Sequence, residues 1–264
     1  MNSATGIGSL RGEVSSWKRV SLLLIRWAEI YANTEILSPI DSETWRVIAQ
    51  AAMIGDSSRV VELASGKGAF ANYLGKNFGC RVEGYDRNPE FVEYSNRRAE
   101  ELRLESKVKF NETDVRRLEV ARNVYDLGVC LGALYIFRED GWKVLIQGVN
   151  LGGFLAVSDL VCRKVPAPKE IMDVFFEEPS QPLTQADSRQ WYTSRGVRII
   201  EEVACSQEAW AKYYELTKQA LDQVSKRGGK ELFAEIEEAL REDRLVRQYR
   251  EPFLDYITFI MQKV

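Results

Sequence analysis

The sequence predicts an α/β protein with a doubly wound sheet, mostly parallel, with helices on both faces. Three observations carry that prediction. Short apolar runs at Val60-Val61-Leu63, Val124–Leu131 and Phe154–Val161 alternate with stretches of helical periodicity. The first run breaks at Ala64-Ser65-Gly66-Lys67-Gly68, where small residues let the backbone turn sharply against a ligand. A further strand, Arg81–Tyr85, then delivers Asp86 about twenty residues beyond the turn, where a doubly wound fold places a carboxylate for a ribose.

Taken in order, residues 1–54 read as an N-terminal helical cap to a single domain spanning 1–264. From Trp17 onward, Val20, Leu23, Leu24, Trp27, Ile30 and Tyr31 recur at helical spacing. Trp27 and Tyr31 either pack this helix on the sheet or roof a ligand cleft. Ser38-Pro39 marks a turn, and Asp41 can cap a helix from Ser42 to about Gly55. Residues 55–162 form the expected cofactor-binding core. After the glycine turn, a helix through Phe70, Tyr73 and Leu74 stops near Gly79. Asn88 and Pro89 open another, by capping and by a preset φ. A short strand at Lys107–Phe110 leads into Asn111–Val115, and the Val124–Leu131 strand opens into Gly132-Ala133-Leu134-Tyr135. The next helix spans Trp142–Val149, closed by Gly152-Gly153 before the Phe154 strand. Residues 163–264 are the expected substrate-side half. They hold a proline-punctuated stretch, a helix near Thr184–Ser194 and a strand over Gly196–Cys205. A helical insertion over about 207–249 and a β-rich return at Asp255–Met261 follow. Trp210, Tyr213, Tyr214 and Thr217 share one face of that insertion.

Composition narrows the chemistry. A net charge of −3 and a pI near 5.4 argue against a nucleic-acid partner, which needs a basic face. No apolar run is long enough to span a membrane, and Arg26 interrupts the short Leu22–Ile25 run, so a cytoplasmic location is expected. The four cysteines show no CxxC spacing and read as buried free thiols, with no metal site. The chain has no histidine, which removes imidazole bases, Ser-His-Asp schemes and most zinc hydrolase chemistry.

The turn itself departs from a dinucleotide fingerprint, whose third glycine would fall on Ala71. Glu62 stands at the strand end just before it. A carboxylate there repels a pyrophosphate and suits a ligand carrying an amine. The run Val60-Val61-Glu62-Leu63-Ala64-Ser65-Gly66-Lys67-Gly68 resembles motif I of class I S-adenosylmethionine-dependent methyltransferases, (D/E)-x-G-x-G-x-G, with Ala64 at the first glycine. Alanine is the smallest substitute, so the turn is expected to survive with a more crowded approach to the ligand. Asp86, Asp114-Val115 and the Tyr125–Gly132 stretch follow in the family's order. The nearest look is to the small-molecule branch, similar to ubiquinone-biosynthesis and type 11 enzymes.

The resemblance implies a Rossmann-like seven-stranded sheet, mostly parallel with an antiparallel strand near the end, and a helical lid. It implies S-adenosylmethionine as cofactor and S-adenosylhomocysteine as product. Glu62 and the Ala64–Gly68 backbone, including Gly66 and Gly68, would meet the methionine part. Asp86, followed by Arg87, would hold the ribose, and Asp114 with the Val115 amide would read the adenine. The Leu131-Gly132 backbone would lie beside the amine and sulfonium. Tyr135 and Asp159 are the best-placed groups if the acceptor must lose a proton; each can equally be ordinary packing or a cap. Trp27, Tyr31, Tyr135, Trp210, Tyr213 and Tyr214 are the expected acceptor-side residues, although an aromatic stripe at helical spacing also serves as core. The expected partner is a small-molecule methyl acceptor, with no membrane, in a monomer or homodimer. An RNA or protein methyltransferase is disfavoured by the acidic pI and by Gly132-Ala133-Leu134-Tyr135, where an Asn-Pro-Pro-Tyr-type motif would stand. A regulatory protein that holds the cofactor without transfer is the rival of a different class.

Overall fold

The computed structural model describes residues 31–32, 34–176, 184–227, 241, 244–245, 247–249 and 252–264. The expected helix beginning at Trp17, with Trp27, lies outside them, as does most of the helical block beyond Arg227.

Seven strands form one sheet: β1 (Arg59–Leu63), β2 (Arg81–Asp86), β3 (Val108–Glu112), β4 (Tyr125–Leu131), β5 (Val149–Cys162), β6 (Val197–Ala204) and β7 (Leu254–Lys263). Their spatial order is β3-β2-β1-β4-β5-β7-β6. The pairings from β3 to β5 are parallel, and β7 runs antiparallel to both β5 and β6. The resulting sheet is mostly parallel with β7 alone reversed, as expected. The strand order turns over between β1 and β4, which opens a crevice beyond their carboxyl ends.

The helices among the described residues are α1 (Ser42–Ala51), α2 (Ala69–Phe78), α3 (Pro89–Glu101), α4 (Arg138–Gly148), α5 (Lys169–Phe175), α6 (Gln185–Thr193) and α7 (Gln207–Arg227). Their starts follow the capping chemistry. Asp41 accepts from the Thr44 amide, Asn88 from Glu90 and Phe91 with Pro89 behind it, and Thr184 with Asp187 closes a capping box.

Side chains alternate across the sheet and build a core on each face. Val60, Val82, Leu127, Val129 and Ala156 pack against Ile48, Phe70, Leu74 and Ala99 of α1–α3. Val61, Leu63, Cys130, Leu155 and Val157 face the other way, against Trp142 and Leu145 of α4 and Tyr192 of α6. Glu62 follows the parity of Val60, so it looks toward α1 and α2.

One boundary differs from the sequence reading. α4 begins at Arg138 and ends at Gly148, and β5 starts at once with Val149. Gly152-Gly153 therefore do not end the helix. They sit within β5 where the register to β4 shifts between Tyr125↔Val149 and Leu127↔Phe154. Glycine is needed at 153 because a Cβ there would fall 3.1 Å from the Asp126 carbonyl and 2.8 Å from Val149. Cys80, Cys130 and Cys162 are buried free thiols, and the half-buried Cys205 donates its thiol to the Pro39 carbonyl.

Candidate functional site

The site forms where β1 runs into α2. Ala64, Gly66 and Gly68 all take positive φ, 50°, 53° and 71°. That succession wraps the chain around a point beyond the strand end. The turn is fixed by amides: Ser65 donates to the Tyr85 carbonyl at 3.0 Å and Gly68 to Ser65 at 2.9 Å. Asp86, at the end of β2, accepts from the Gly66 amide and from the Asn88 amide, each at 2.8 Å. Burial raises its carboxyl above the ordinary value, and those two amides oppose the shift. Each oxygen keeps a lone pair for a further donor such as a ribose hydroxyl.

Glu62 lies under the turn, 4% exposed. The Ala71 amide donates to it, yet burial pushes the carboxyl up to about 8. Its Oε2 finds no hydrogen-bond partner among the described residues. Glu62 opens into a partly open cleft of about 50 Å³, which Ala64, Gly66, Trp45, Phe70 and Leu131 also line. The segment Glu35–Ile40 roofs it. Leu37 fills the place where a side chain on Gly66 would go, and Phe110 does the same at Gly68. Both glycines are thus required by contact as well as by φ.

Of the expected cofactor residues, Glu62, Ala64, Gly66 and Leu131 share this cleft, and Asp86 touches the turn from beneath. Asp114 caps the short 3-10 turn Val115–Arg117, with Oδ1 accepting from the Arg116 amide at 3.0 Å and Oδ2 facing its guanidinium at 3.4 Å. Arg87 borders the same group, as burial and Arg116 lower its guanidinium while Asp114 opposes. At the end of β4, Gly132 takes φ 99°, and a Cβ there would meet Ser38 and the Tyr256 hydroxyl, both at 2.9 Å. Tyr135 stands just beyond, on the 3-10 turn Leu134–Ile136, 46% exposed.

Two of the expected groups lie packed in the interior. Asp159 is fully buried, on the parity of Val157 and Val161 and so on the α4 face. Arg138 holds both its oxygens, at 3.0 and 3.3 Å, and the Tyr192 hydroxyl donates at 2.7 Å. A carboxylate so occupied and closed from the cleft is an anchor for α4, not a base. Trp210 and Tyr214, 3% and 9% exposed, are packed with Ile40 and Tyr256 as the core of the lid. Trp210 stacks on Tyr214 at 5.4 Å, and Arg247 covers the Tyr214 ring at 4.4 Å. They thus take the packing role that an aromatic stripe at helical spacing also allowed. Tyr213 is half-buried, and its hydroxyl meets that of buried Tyr31 at 2.9 Å.

Sequence reasoning missed Tyr256 and gave no role to Lys67. Tyr256 lies edge-on to Trp210 at 6.0 Å, and burial keeps its phenol protonated. Its only sequence signal is an aromatic at one alternate position of β7. Among the described residues no cluster of metal-ligating side chains occurs.

A mostly parallel sheet of this order, with an acid and a glycine turn at the end of β1, is the fold that the sequence led one to expect. Residues 60–150 match the family model described as a methyltransferase domain. The uncharacterized protein YjhP of Escherichia coli (strain K12) is 26% identical over 181 residues, 67% of this chain and 73% of YjhP. The X-ray structure of YjhP superposes with a TM-score of 0.79 at 22% identity, over 90% of this chain and 99% of that one. A SAM-dependent methyltransferase from Thiobacillus denitrificans, solved in complex with S-adenosyl-L-homocysteine, also gives 0.79, at 21% identity over 90% and 98% of the two chains. A third, from Geobacter sulfurreducens in complex with the same molecule, gives 0.79 at 20% identity over 90% and 97%.

Proposed function

We propose that the chain binds S-adenosylmethionine in the cleft above β1 and β4 and transfers its methyl group to a small-molecule acceptor. One observation carries the reading: the buried, unpartnered Glu62 oxygen faces a glycine-turn cleft at the switch point. A cationic amine is the group that would satisfy that oxygen and favour the carboxylate. When bound, the cofactor supplies a methyl on a sulfonium, open to in-line attack. The chain's own part is to place and enclose. Glu62 and the turn amides hold the amino-acid end, Asp86 the ribose, and Asp114 with Val115 the adenine edge. Leu131-Gly132 let the reacting end approach closely. Positioning and exclusion of water need no general base. Tyr256, protonated and directed at Gly132, donates a hydrogen bond to the acceptor, and exposed Tyr135 guards its entry.

Calorimetry with S-adenosylmethionine and S-adenosylhomocysteine tests the binding; failure of both to bind ends the proposal. Turnover against a panel of small amines, phenols and carboxylic acids tests the transfer. Tyr256→Phe is expected to lower kcat about fivefold, the loss of one neutral hydrogen bond to the acceptor, while leaving cofactor affinity unchanged. The rival reading, retention without transfer, gains support from the packed Trp210–Tyr214–Tyr256 lid. It predicts tight binding with no turnover on any acceptor.

A further inference from the structure

Lys67 is a charged residue inside the glycine turn, 5% exposed, and it does not line the cleft. Its ammonium donates to the Tyr31 carbonyl and, at 3.2 Å, to that of Ala32. It also lies 4.5 Å from the centre of the Tyr94 ring. A buried ammonium needs such partners, and two carbonyls with an aromatic face supply them. The same segment is tied down next to it. Glu35 accepts from the Tyr94 hydroxyl at 2.8 Å and pairs with Arg98 at 3.0 Å, while Leu37 covers Gly66. Tyr31 is thus gripped twice, its carbonyl by the cofactor turn and its phenol by Tyr213 of α7 at 2.9 Å.

We propose that Lys67 is a positioning residue that couples the cofactor turn to the lid helix α7 through Tyr31 and the 34–40 segment. The coupling to acceptor binding rests on the function proposed above; the mechanical link does not. Because the turn and the lid share one residue, a change in either is felt by the other. Cofactor on the turn would therefore set the lid against which the acceptor packs.

Amide hydrogen exchange on the full chain tests the link. In the ligand-free protein, Lys67→Gln is expected to speed exchange about tenfold in both 34–40 and 207–217, the loss of a charge-assisted hydrogen bond, with β1 unchanged. Lys67→Arg, which keeps the charge and the donors, is expected to restore protection. Tyr213→Phe should speed exchange in 34–40 from the other end, and the double variant should be no faster than the faster single one. Faster exchange confined to 34–40 in Lys67→Gln, or additive effects in the double variant, would overturn the link. If Lys67→Gln also loses protection in β1, Tyr213→Phe alone decides by its effect on 34–40. Added S-adenosylhomocysteine should slow 207–217 in the wild type and not in Lys67→Gln; equal slowing in both overturns the coupling. A wild type that binds no S-adenosylhomocysteine sinks the proposed function, while the ligand-free arm still decides the link.

Discussion

Glu62 joins the chemistry of the site to the stability of the fold. With its carboxyl raised from 4.5 to about 8, the folded chain holds a proton that the unfolded chain releases between those values. Folded stability therefore falls as pH rises from 4.5 to 8. Glu62→Gln removes the penalty, and the rise from 4.5 to about 8, at ~1.4 kcal/mol per unit, should make the variant more stable at pH 8 by on the order of 5 kcal/mol. Urea unfolding at pH 5 and pH 8 checks it: the gap between the two proteins must widen with pH. The same carboxyl should lose its proton when a cationic amine arrives. Calorimetry of S-adenosylhomocysteine at pH 7, in buffers of different ionisation enthalpy, should show proton release that Glu62→Gln abolishes. Ala64 bears a different strain. At φ 50° it holds a conformation that costs a side chain about 1 kcal/mol, so Ala64→Gly should stabilise the chain by that order, read as a rise in urea midpoint. The acid and the small residues were legible in the sequence, since a strand end followed by glycines needs no distant partner to be read. Lys67 and Tyr256 were not, because their neighbours Tyr31 and Trp210 are brought to them only by the fold.

At the level of elements, local signals worked where the chain itself supplied the partner. Asp41, Asn88 and Thr184 cap the helices that they precede, and the apolar runs became strands. Gly152-Gly153 misled because a glycine pair reads alike as a helix stop and as a bulge; only pairing of β5 with β4 separates the two. The stripe of α7 showed which residues share a face, but not that β7 and Ile40 would cover it. Asp159 likewise showed its place near the strand end and not its partner. That partner gives a prediction. Arg138→Ala leaves a fully buried carboxylate with the Tyr192 hydroxyl but no cation, among the described residues, and should cost about 3–5 kcal/mol. Replacing both members, Arg138→Met with Asp159→Leu, should cost much less; equal losses in urea unfolding would refute the pair as the anchor of α4.

For the whole molecule, the strand order places every expected cofactor residue at one edge. Glu62, Asp86, Asp114 and Leu131 end or follow β1, β2, β3 and β4, which stand side by side in the sheet. Of these, Glu62 and Leu131 line the same cleft. Among the described residues no helix is long and apolar enough to cross a membrane.

The order also fixes a timetable. β6 is made before β7, yet among the described residues its one neighbour in the sheet is β7, which wedges between it and β5. As the polypeptide leaves the ribosome, the first five strands can assemble while β6 waits with both edges open. A nascent chain halted at Phe253 should therefore show a protease-sensitive β6 beside a resistant β1–β5 block. Adding residues 254–264 in trans as a peptide should protect both.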